Sequence, residues 1–203
     1  MSSDAIEKKP QERFQHLLSV IRSKRFLEKQ GLGNEVPFFI CSFDPKESIS
    51  MERLQSQLKN KLAQEGIRVL DINIYDMVID ILKESEDWEW YTNEESSMTK
   101  DELKDELQSI LDVETVLTPA MAAKIRATEF DVMFLTGIGE VFPYIRSHNV
   151  LNNLQSTAKE KPTIMFFPGK YTHSLEAGAS LDLFGRLHDD KYYRAFDIDH
   201  YEV

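Results

Sequence analysis

The chain has a single cysteine, Cys41, among its 203 residues. One cysteine excludes an internal disulfide framework and a zinc site built from cysteines, and it fits a reducing compartment. Long apolar runs are also missing, since none approaches the ~20 residues that a membrane-spanning helix needs. The sequence does not open with a cationic segment followed by an apolar one. We therefore expect no signal peptide and a soluble, cytoplasmic protein.

Positively charged residues are fewer than negatively charged ones. The 24 Lys and Arg residues face 35 Asp and Glu residues, which gives a net charge of −11. Proteins that coat duplex DNA or an anionic membrane need clustered cations. We therefore expect no membrane partner and no direct nucleic-acid binding, although a basic face around Arg146, Lys170 and Arg194 keeps DNA binding as a weaker hypothesis.

Most of the negative charge lies between Glu84 and Glu106. This stretch holds ten acidic residues against two lysines, which is −8 of the chain's −11. It also contains Trp88, Trp90 and Tyr91, and we predict an acidic, aromatic-containing loop over residues 84–98. One interpretation is a solvated linker whose aromatic residues fold back on the core. The other is an aromatic anchor with an acidic rim, which would suit a basic partner.

Short apolar segments predict five β-strands, at residues 36–43, 67–74, 130–135, 163–167 and 192–198. The first, third and fourth are almost continuously apolar, which is typical of strands covered on both faces. Segments with helical periodicity separate them, in the order β-α-β-ααα-β-α-β-α-β. This order predicts one α/β domain over 1–203, with a mostly parallel five-stranded sheet and helices on both faces.

Local signals set the expected helix ends. Residues 1–11 are polar and are expected to be frayed. Ser50 is a candidate N-cap for a helix that Gly66 ends, and Thr99 with Glu102 forms a capping box. Pro143 is expected to open a helix that contains Ile145 and Leu151, and the glycine of 183–187 is expected to end a short helix.

The strand ends were searched for phosphate-binding loops, because ligands of open parallel sheets bind there. The loop at 44–49 has no glycine, and its proline lacks an N–H, so it cannot form a P-loop. The fold is thus expected to be P-loop-NTPase-like or Rossmann-like without a Walker A loop. Gly137 and Gly139 match half of a dinucleotide fingerprint, but a GxG alone is weak evidence, and a tight turn out of the sheet is the favoured interpretation. An alternative function is a nucleotide- or small-molecule-binding enzyme or sensor that uses the loops at 136–140 and 168–172.

No motif indicates catalysis or metal binding. The five histidines lack metal-ligand spacing, and no GxSxG elbow marks a nucleophilic serine. Cys41 lies inside an apolar strand and is interpreted as a core residue rather than a nucleophile. We predict no catalytic, cofactor-binding or metal-binding residues, and hence no cofactor and no enzyme activity.

Four cations near strand or helix ends, Arg146, Lys170, Arg186 and Arg194, are candidates for a clamp on a phosphate or on a partner's carboxylate. Separate surface ion pairs explain them equally well, and Arg186 would also suit the C-terminal end of a helix. The candidate partner interface comprises these four cations with Trp88, Trp90, Tyr91 and His148.

Several longer blocks resemble a known family. They read FLTGIG at 134–139, FPYIRSH at 142–148, FFPGKY at 166–171, LFGRL at 183–187 and YYRAF at 192–196. With residues 12–14, 25–27 and 31–39, these blocks resemble the BrxB family of bacterial BREX (bacteriophage exclusion) systems over about residues 12–198. Parts of them are also similar to BrxF, a P-loop protein of related systems.

The resemblance implies a small non-catalytic component of phage defence. Its implied partners are other BREX proteins, above all a PglZ-like protein of the alkaline phosphatase superfamily. A PglX-like methyltransferase and a BrxC-like ATPase are further implied partners. The resemblance carries over no catalytic residue, so the expected function is that of a protein–protein adaptor that helps to assemble the methylation and defence complex.

Overall fold

The computed structural model describes residues 10–32, 35–85, 88–174, 178–185, 187–188 and 195–202. Within these residues the strands are β1 (Phe38–Phe43), β2 (Val69–Asn73), β3 (Val132–Thr136), β4 (Thr163–Ser174), β5 (Gly178–Leu183), β6 (Leu187–His188) and β7 (Ala195–Asp197). Five of them run parallel in the order β2-β3-β4-β1-β7. The predicted single α/β domain with a mostly parallel sheet is confirmed.

The connection after β4 differs from the prediction. β4 continues past Phe167 and pairs antiparallel with β5, which pairs with β6. A hairpin therefore stands where a helix between the fourth and fifth predicted strands was expected. The predicted short helix at 183–187 is wrong, because Phe184 (φ 54°) and Gly185 (φ 67°) form the turn that leaves β5. The predicted loop at 168–172 is also wrong, since these residues belong to β4.

Helices cover both faces of the sheet, as predicted. They are α1 (Pro10–Ile21), α2 (Lys24–Leu27), α3 (Ser48–Gln64), α4 (Ile74–Glu84), α5 (Trp88–Glu94), α6 (Lys100–Ile110), α7 (Thr118–Ala127) and α8 (Ser147–Leu154). Apolar residues of α1, α2 and α3 pack with Phe39 and Cys41, whereas those of α4, α7 and α8 pack with Phe38 and Ile40. This division follows from the alternation of side chains along β1. None of the helices in the described residues is long and apolar enough to cross a membrane.

Several predicted helix ends require correction. The stretch at 84–98 is not a loop, because it contains α5 and a 3₁₀ turn at Glu95–Ser97. α3 begins at Ser48, so Ser50 is not its N-cap. Pro143 does not open a helix, since α8 begins four residues later at Ser147. The capping box of Thr99 and Glu102 is confirmed. Residues 10–11 are already helical, and residues 1–9 lie outside the described residues.

One ion pair joins the two ends of the described chain beside β1. Arg13 of α1 donates through Nε and Nη2 to the two carboxylate oxygens of Asp199, at 3.2 and 2.6 Å. Its Nη2 atom also donates to the carbonyl oxygen of Ser42, at 2.6 Å. The side chains of Arg13 and Asp199 are only 14% and 20% exposed. Hydrogen bonds of this charged, sheltered type each contribute about 1.5–3 kcal/mol.

Loss of this contact is expected to destabilise the fold. Arg13→Met keeps the aliphatic length but leaves the sheltered carboxylate of Asp199 without its arginine, so the free energy of unfolding should fall by about 2–4 kcal/mol. Urea denaturation checks the value. Arg22→Met is the matched control, because Arg22 is half exposed and 3.9 Å from Glu65, and it should change stability by less than about 0.5 kcal/mol. Equal effects for the two variants would contradict the role of Arg13.

Cys41 is expected to be unreactive in the folded protein. Its side chain is fully buried, and burial raises the pKa of the Cys41 thiol to about 12, so almost no thiolate exists near pH 8. Labelling with an aromatic disulfide should therefore be slow in native buffer and fast in denaturant. Because the chain has one cysteine, the signal belongs to a single site. Fast native labelling would show that this end of β1 opens.

Candidate functional site

The carboxyl edge of the parallel sheet is the part of this fold where a binding site is expected. β1 and β4 are neighbours, and α3 leaves β1 on one face while the β5 residues that follow β4 pack on the other. In open α/β sheets, ligands bind beside two such strands, whose connections leave on opposite faces. What this edge can bind thus depends on the residues that follow β1, β2 and β3 and on the turn after β5.

The exit of β1 is closed by local hydrogen bonds. The Lys46 N–H donates to Oδ1 of Asp44, and the Glu47 N–H donates to the Asp44 carbonyl oxygen. Pro45 has no N–H, and the Ser48 N–H bonds the Pro45 carbonyl. A phosphate site needs consecutive N–H groups that point into one cavity, and here these groups serve a 3₁₀ turn instead. The glycine-free sequence of residues 44–49 therefore forms a capped turn at this exit and not a phosphate-binding loop.

The residues that follow β2 and β3 are in close contact with each other. Asn73 ends β2 and caps α4, because its Oδ1 accepts hydrogen bonds from the N–H groups of Tyr75 and Asp76. Gly137 follows β3 with φ 73°, and a Cβ atom there would lie 2.1 Å from the same Oδ1 atom. A close approach of two backbones therefore explains Gly137.

The turn after β5 covers the exits of β3 and β4. A Cβ atom on Gly139 would lie 2.6 Å from Cγ of Pro168 and 3.5 Å from the ring of Phe184. The Phe184 ring also meets Phe142 edge-on, with 6.4 Å between the ring centroids. Gly139 thus makes room for side chains of the same molecule. Both glycines of the half-fingerprint, Gly137 and Gly139, therefore have a structural explanation.

Exposed apolar side chains concentrate at this edge. Four large apolar side chains are exposed within the described residues, and Ile49, Tyr75 and Phe184 are three of them. Ile49 lies in the first turn of α3, directly after β1, and is 66% exposed. Tyr75 lies in the first turn of α4, directly after β2. Single exposed apolar residues are common, but three at one edge of a sheet indicate a contact surface.

Acidic residues lie beside these apolar side chains. Glu140 follows β3, and its pKa is raised by partial burial and by the negative charges of Glu52 on α3 and Asp76 on α4. Burial also raises the pKa of Tyr144, with smaller effects of Tyr75 and Glu140. Negative charges near the starts of α3 and α4 therefore act on Glu140, which follows β3. We call this set the edge surface: Ile49, Glu52, Tyr75, Asp76, Glu140, Tyr144 and Phe184.

The cations predicted from sequence do not all lie in the described residues. Arg146 is exposed and occupies the N-cap position of α8, and His148 is half-buried in the first turn of that helix. Lys170 is exposed on β4, opposite Asp182 of β5. Arg186 and Arg194 lie outside the described residues, so the four-cation clamp stays a prediction. In the part of the chain that is described, no group of three His, Cys, Asp or Glu residues is arranged to hold a metal ion.

The aromatic residues of the acidic segment divide between core and surface. Tyr91 of α5 is 6% exposed and belongs to the core, and its hydroxyl lies 3.4 Å from Oε1 of Glu106. Trp88 is half-buried against the same core, with Nζ of Lys83 5.4 Å above its ring centroid. Trp90 is 47% exposed and meets Tyr91 edge-on, at 4.9 Å between centroids. Of the three, Trp90 alone projects well into solvent.

Because Tyr91 is buried and Trp90 is exposed, substituting them is expected to lower stability by very different amounts. Tyr91→Ala removes a buried ring and should lower the free energy of unfolding by about 3–5 kcal/mol. Trp90→Ala should lower it by less than about 1 kcal/mol, because most of what it loses is solvent-exposed. Thermal or urea denaturation of the two variants checks the difference. Similar losses would mean that Trp90 also supports the packing of α5.

Comparisons with known proteins agree on one family. A family model described as "BREX protein BrxB" matches residues 70–198. A protein named BREX protein BrxB from Bacillus cereus (strain H3081.97) is 32% identical over 194 residues, covering 92% of this chain and 96% of the relative. A protein of the same name from Escherichia coli O9:H4 (strain HS) is 27% identical over 186 residues, covering 92% and 90%. No solved structure matches significantly.

The match includes β2, β3 and most of the residues that form the exits around the edge surface, and the relatives extend it to nearly the whole chain. The resemblance seen in the sequence blocks is thereby confirmed, and a role in BREX phage defence follows from it. The chain belongs to the BrxB family of BREX proteins.

Proposed function

We propose that this protein is a non-catalytic adaptor, which binds other BREX proteins in the cytoplasm and helps to assemble their methylation and defence complex. The single observation that supports this most directly is the exit of β1. There the N–H groups of Lys46 and Glu47 bond to Asp44, so the position of a phosphate loop is taken up by a capped turn. A sheet of this kind without that loop is better suited to contact a macromolecule.

The shape of the carboxyl edge also favours a protein partner. Gly139 is packed under Pro168 and Phe184, and Gly169 lies so close to β5 that a Cβ atom there would meet the Asp182 carbonyl oxygen at 2.2 Å. Gly139 in the segment 136–140 and Gly169 in the segment 168–172 are therefore used for internal packing. The hypothesis of a nucleotide-binding enzyme or sensor relied on these two segments as open loops, so we do not retain it.

The proposed partners come from the family. A PglZ-like protein is the first candidate, and a PglX-like methyltransferase and a BrxC-like ATPase are further ones. Direct binding to nucleic acid is disfavoured by the net charge of −11 and by the acids of the edge surface.

Affinity purification tests the adaptor function. The tagged chain is expressed in cells that carry its whole BREX gene neighbourhood, and the eluate is quantified by mass spectrometry. We expect a PglZ-like protein in near-equal molar amount, with or without the methyltransferase. A tagged chain that carries the destabilising Tyr91→Ala substitution serves as the control for non-specific recovery. Purification of the wild-type chain alone would contradict the proposal.

A thermal-shift measurement tests the absence of a nucleotide site. A ligand at 100 times its Kd adds about 2.7 kcal/mol to the stability of the protein that binds it. We expect no change in melting temperature with millimolar ATP, GTP or NAD in the presence of Mg²⁺. A reproducible rise with one of them would contradict the proposal and would direct mutagenesis to the exits of β1 and β3.

A further inference from the structure

We propose that the edge surface binds a segment of a partner protein in which lysine or arginine side chains alternate with apolar ones. This inference depends on the proposed adaptor function and adds to it the surface of this chain that is used and the chemistry of the partner. Three features of the edge surface support this inference: its apolar side chains, its charge and the turn that carries Phe184.

The apolar side chains are the first feature. Ile49, Tyr75 and Phe184 are 66%, 38% and 40% exposed, and they come from three separate elements. The sequence brings them to one edge because the parallel strands β1 and β2 end there and the turn after β5 folds back over Gly139. Interfaces rely on a few such side chains, above all aromatic ones, for most of their binding energy.

The charge determines the kind of partner. Glu52 lies on α3 and Asp76 on α4, and the negative charges of both act on Glu140, which follows β3. Water screens such charges in the free protein, whereas a partner that excludes water must supply opposite charge. Lysine or arginine side chains meet this need, and arginine can in addition stack on the rings of Tyr75 or Tyr144. An acidic partner or a nucleic-acid backbone would be repelled.

The turn after β5 is the third feature. Phe184 has φ 54°, a left-handed conformation in which Gly or Asn is favoured and a bulky aromatic residue is rare. Such a conformation is strained for a bulky side chain. The ring lies edge-on to Phe142 and over Gly139 within this chain, and it is still 40% exposed. A contact with a partner would bury the exposed part of the ring.

The same turn provides a variant that removes the ring and suits the backbone. Asn is favoured in the left-handed conformation, which offsets the loss of the ring's contact with Phe142, so Phe184→Asn is expected to stay folded. Tyr75→Ala and Ile49→Ser remove the other two exposed apolar side chains, and Glu52→Lys reverses one charge. Trp90→Ala is the matched control for an exposed aromatic side chain, and Asp101→Lys, on the exposed face of α6, is the matched control for charge.

The probe is the PglZ-like protein of the same gene neighbourhood, purified and titrated with each variant at low and moderate salt. Phe184→Asn and Tyr75→Ala should each raise Kd at least about tenfold, and Ile49→Ser should raise it less. Glu52→Lys should raise Kd and reduce its salt dependence, whereas both control variants should stay within about twofold of the wild type. Urea denaturation confirms that every variant is folded.

Other results separate this inference from the adaptor function. If the wild-type chain binds neither this protein nor any other from the neighbourhood, the adaptor function itself fails. If the wild type binds and the edge variants bind equally well, the edge surface is not the site, and a selective loss with Trp90→Ala would assign binding to the acidic helix α5. If the edge variants instead convert a wild-type dimer to a monomer, a second copy of this chain occupies the surface and the inference is wrong.

Discussion

The central position of β1 is the constraint on which the rest of the structure depends. β1 pairs with β4 on one side and with β7 on the other, so both of its neighbours come from the last quarter of the chain. Its residues Phe39, Ile40 and Cys41 are fully buried, and they divide between the two faces. The Arg13 guanidinium bonds both the Ser42 carbonyl oxygen and Asp199, which holds the first helix and the last turn at the same end of β1. The complete sheet therefore brings the two ends of the described chain together.

The same central position of β1 also bears on the carboxyl edge of the sheet. A strand in the middle of the sheet places its exit in the middle of the edge, where a crevice between β1 and β4 is expected. Here β4 does not stop at the edge but continues through Pro168 and Gly169 into the hairpin with β5. The turn that carries Phe184 packs over Gly139 and Pro168 at this edge. The described side chains around it include three exposed apolar ones and three acidic ones, and Lys170 lies beside Gly185.

The parts of the fold that could be predicted from sequence are those with a strong local pattern. β1, β3 and β4 are continuous apolar runs. Together with the helical segments between the strands, they predict a parallel sheet. The hairpin could not be predicted in this way, because Pro168 and Gly169 are locally typical of a strand end. Their use inside β4 depends on a distant partner: the Asp182 carbonyl approaches Gly169, and the Phe184 N–H donates to the Pro168 carbonyl. Composition likewise could not separate Trp90 from Tyr91, since burial depends on which face of α5 meets the core.

The edge surface was within reach of the sequence only in part. The strand ends at residues 43–48, 73 and 136–140 are evident in the sequence, but their local patterns bear on phosphate binding and do not show which apolar groups are exposed. Ile49, Tyr75 and Phe184 lie 26 or more residues apart, and only the strand order and the hairpin show that they share one edge. Phe184 is the most informative of them, because the local pattern was misread there as a helix end. A residue that conflicts with its own turn is expected where a functional demand overrides local preference. An aromatic ring in a left-handed turn, with part of it exposed, is what the proposed contact with a partner leads us to expect.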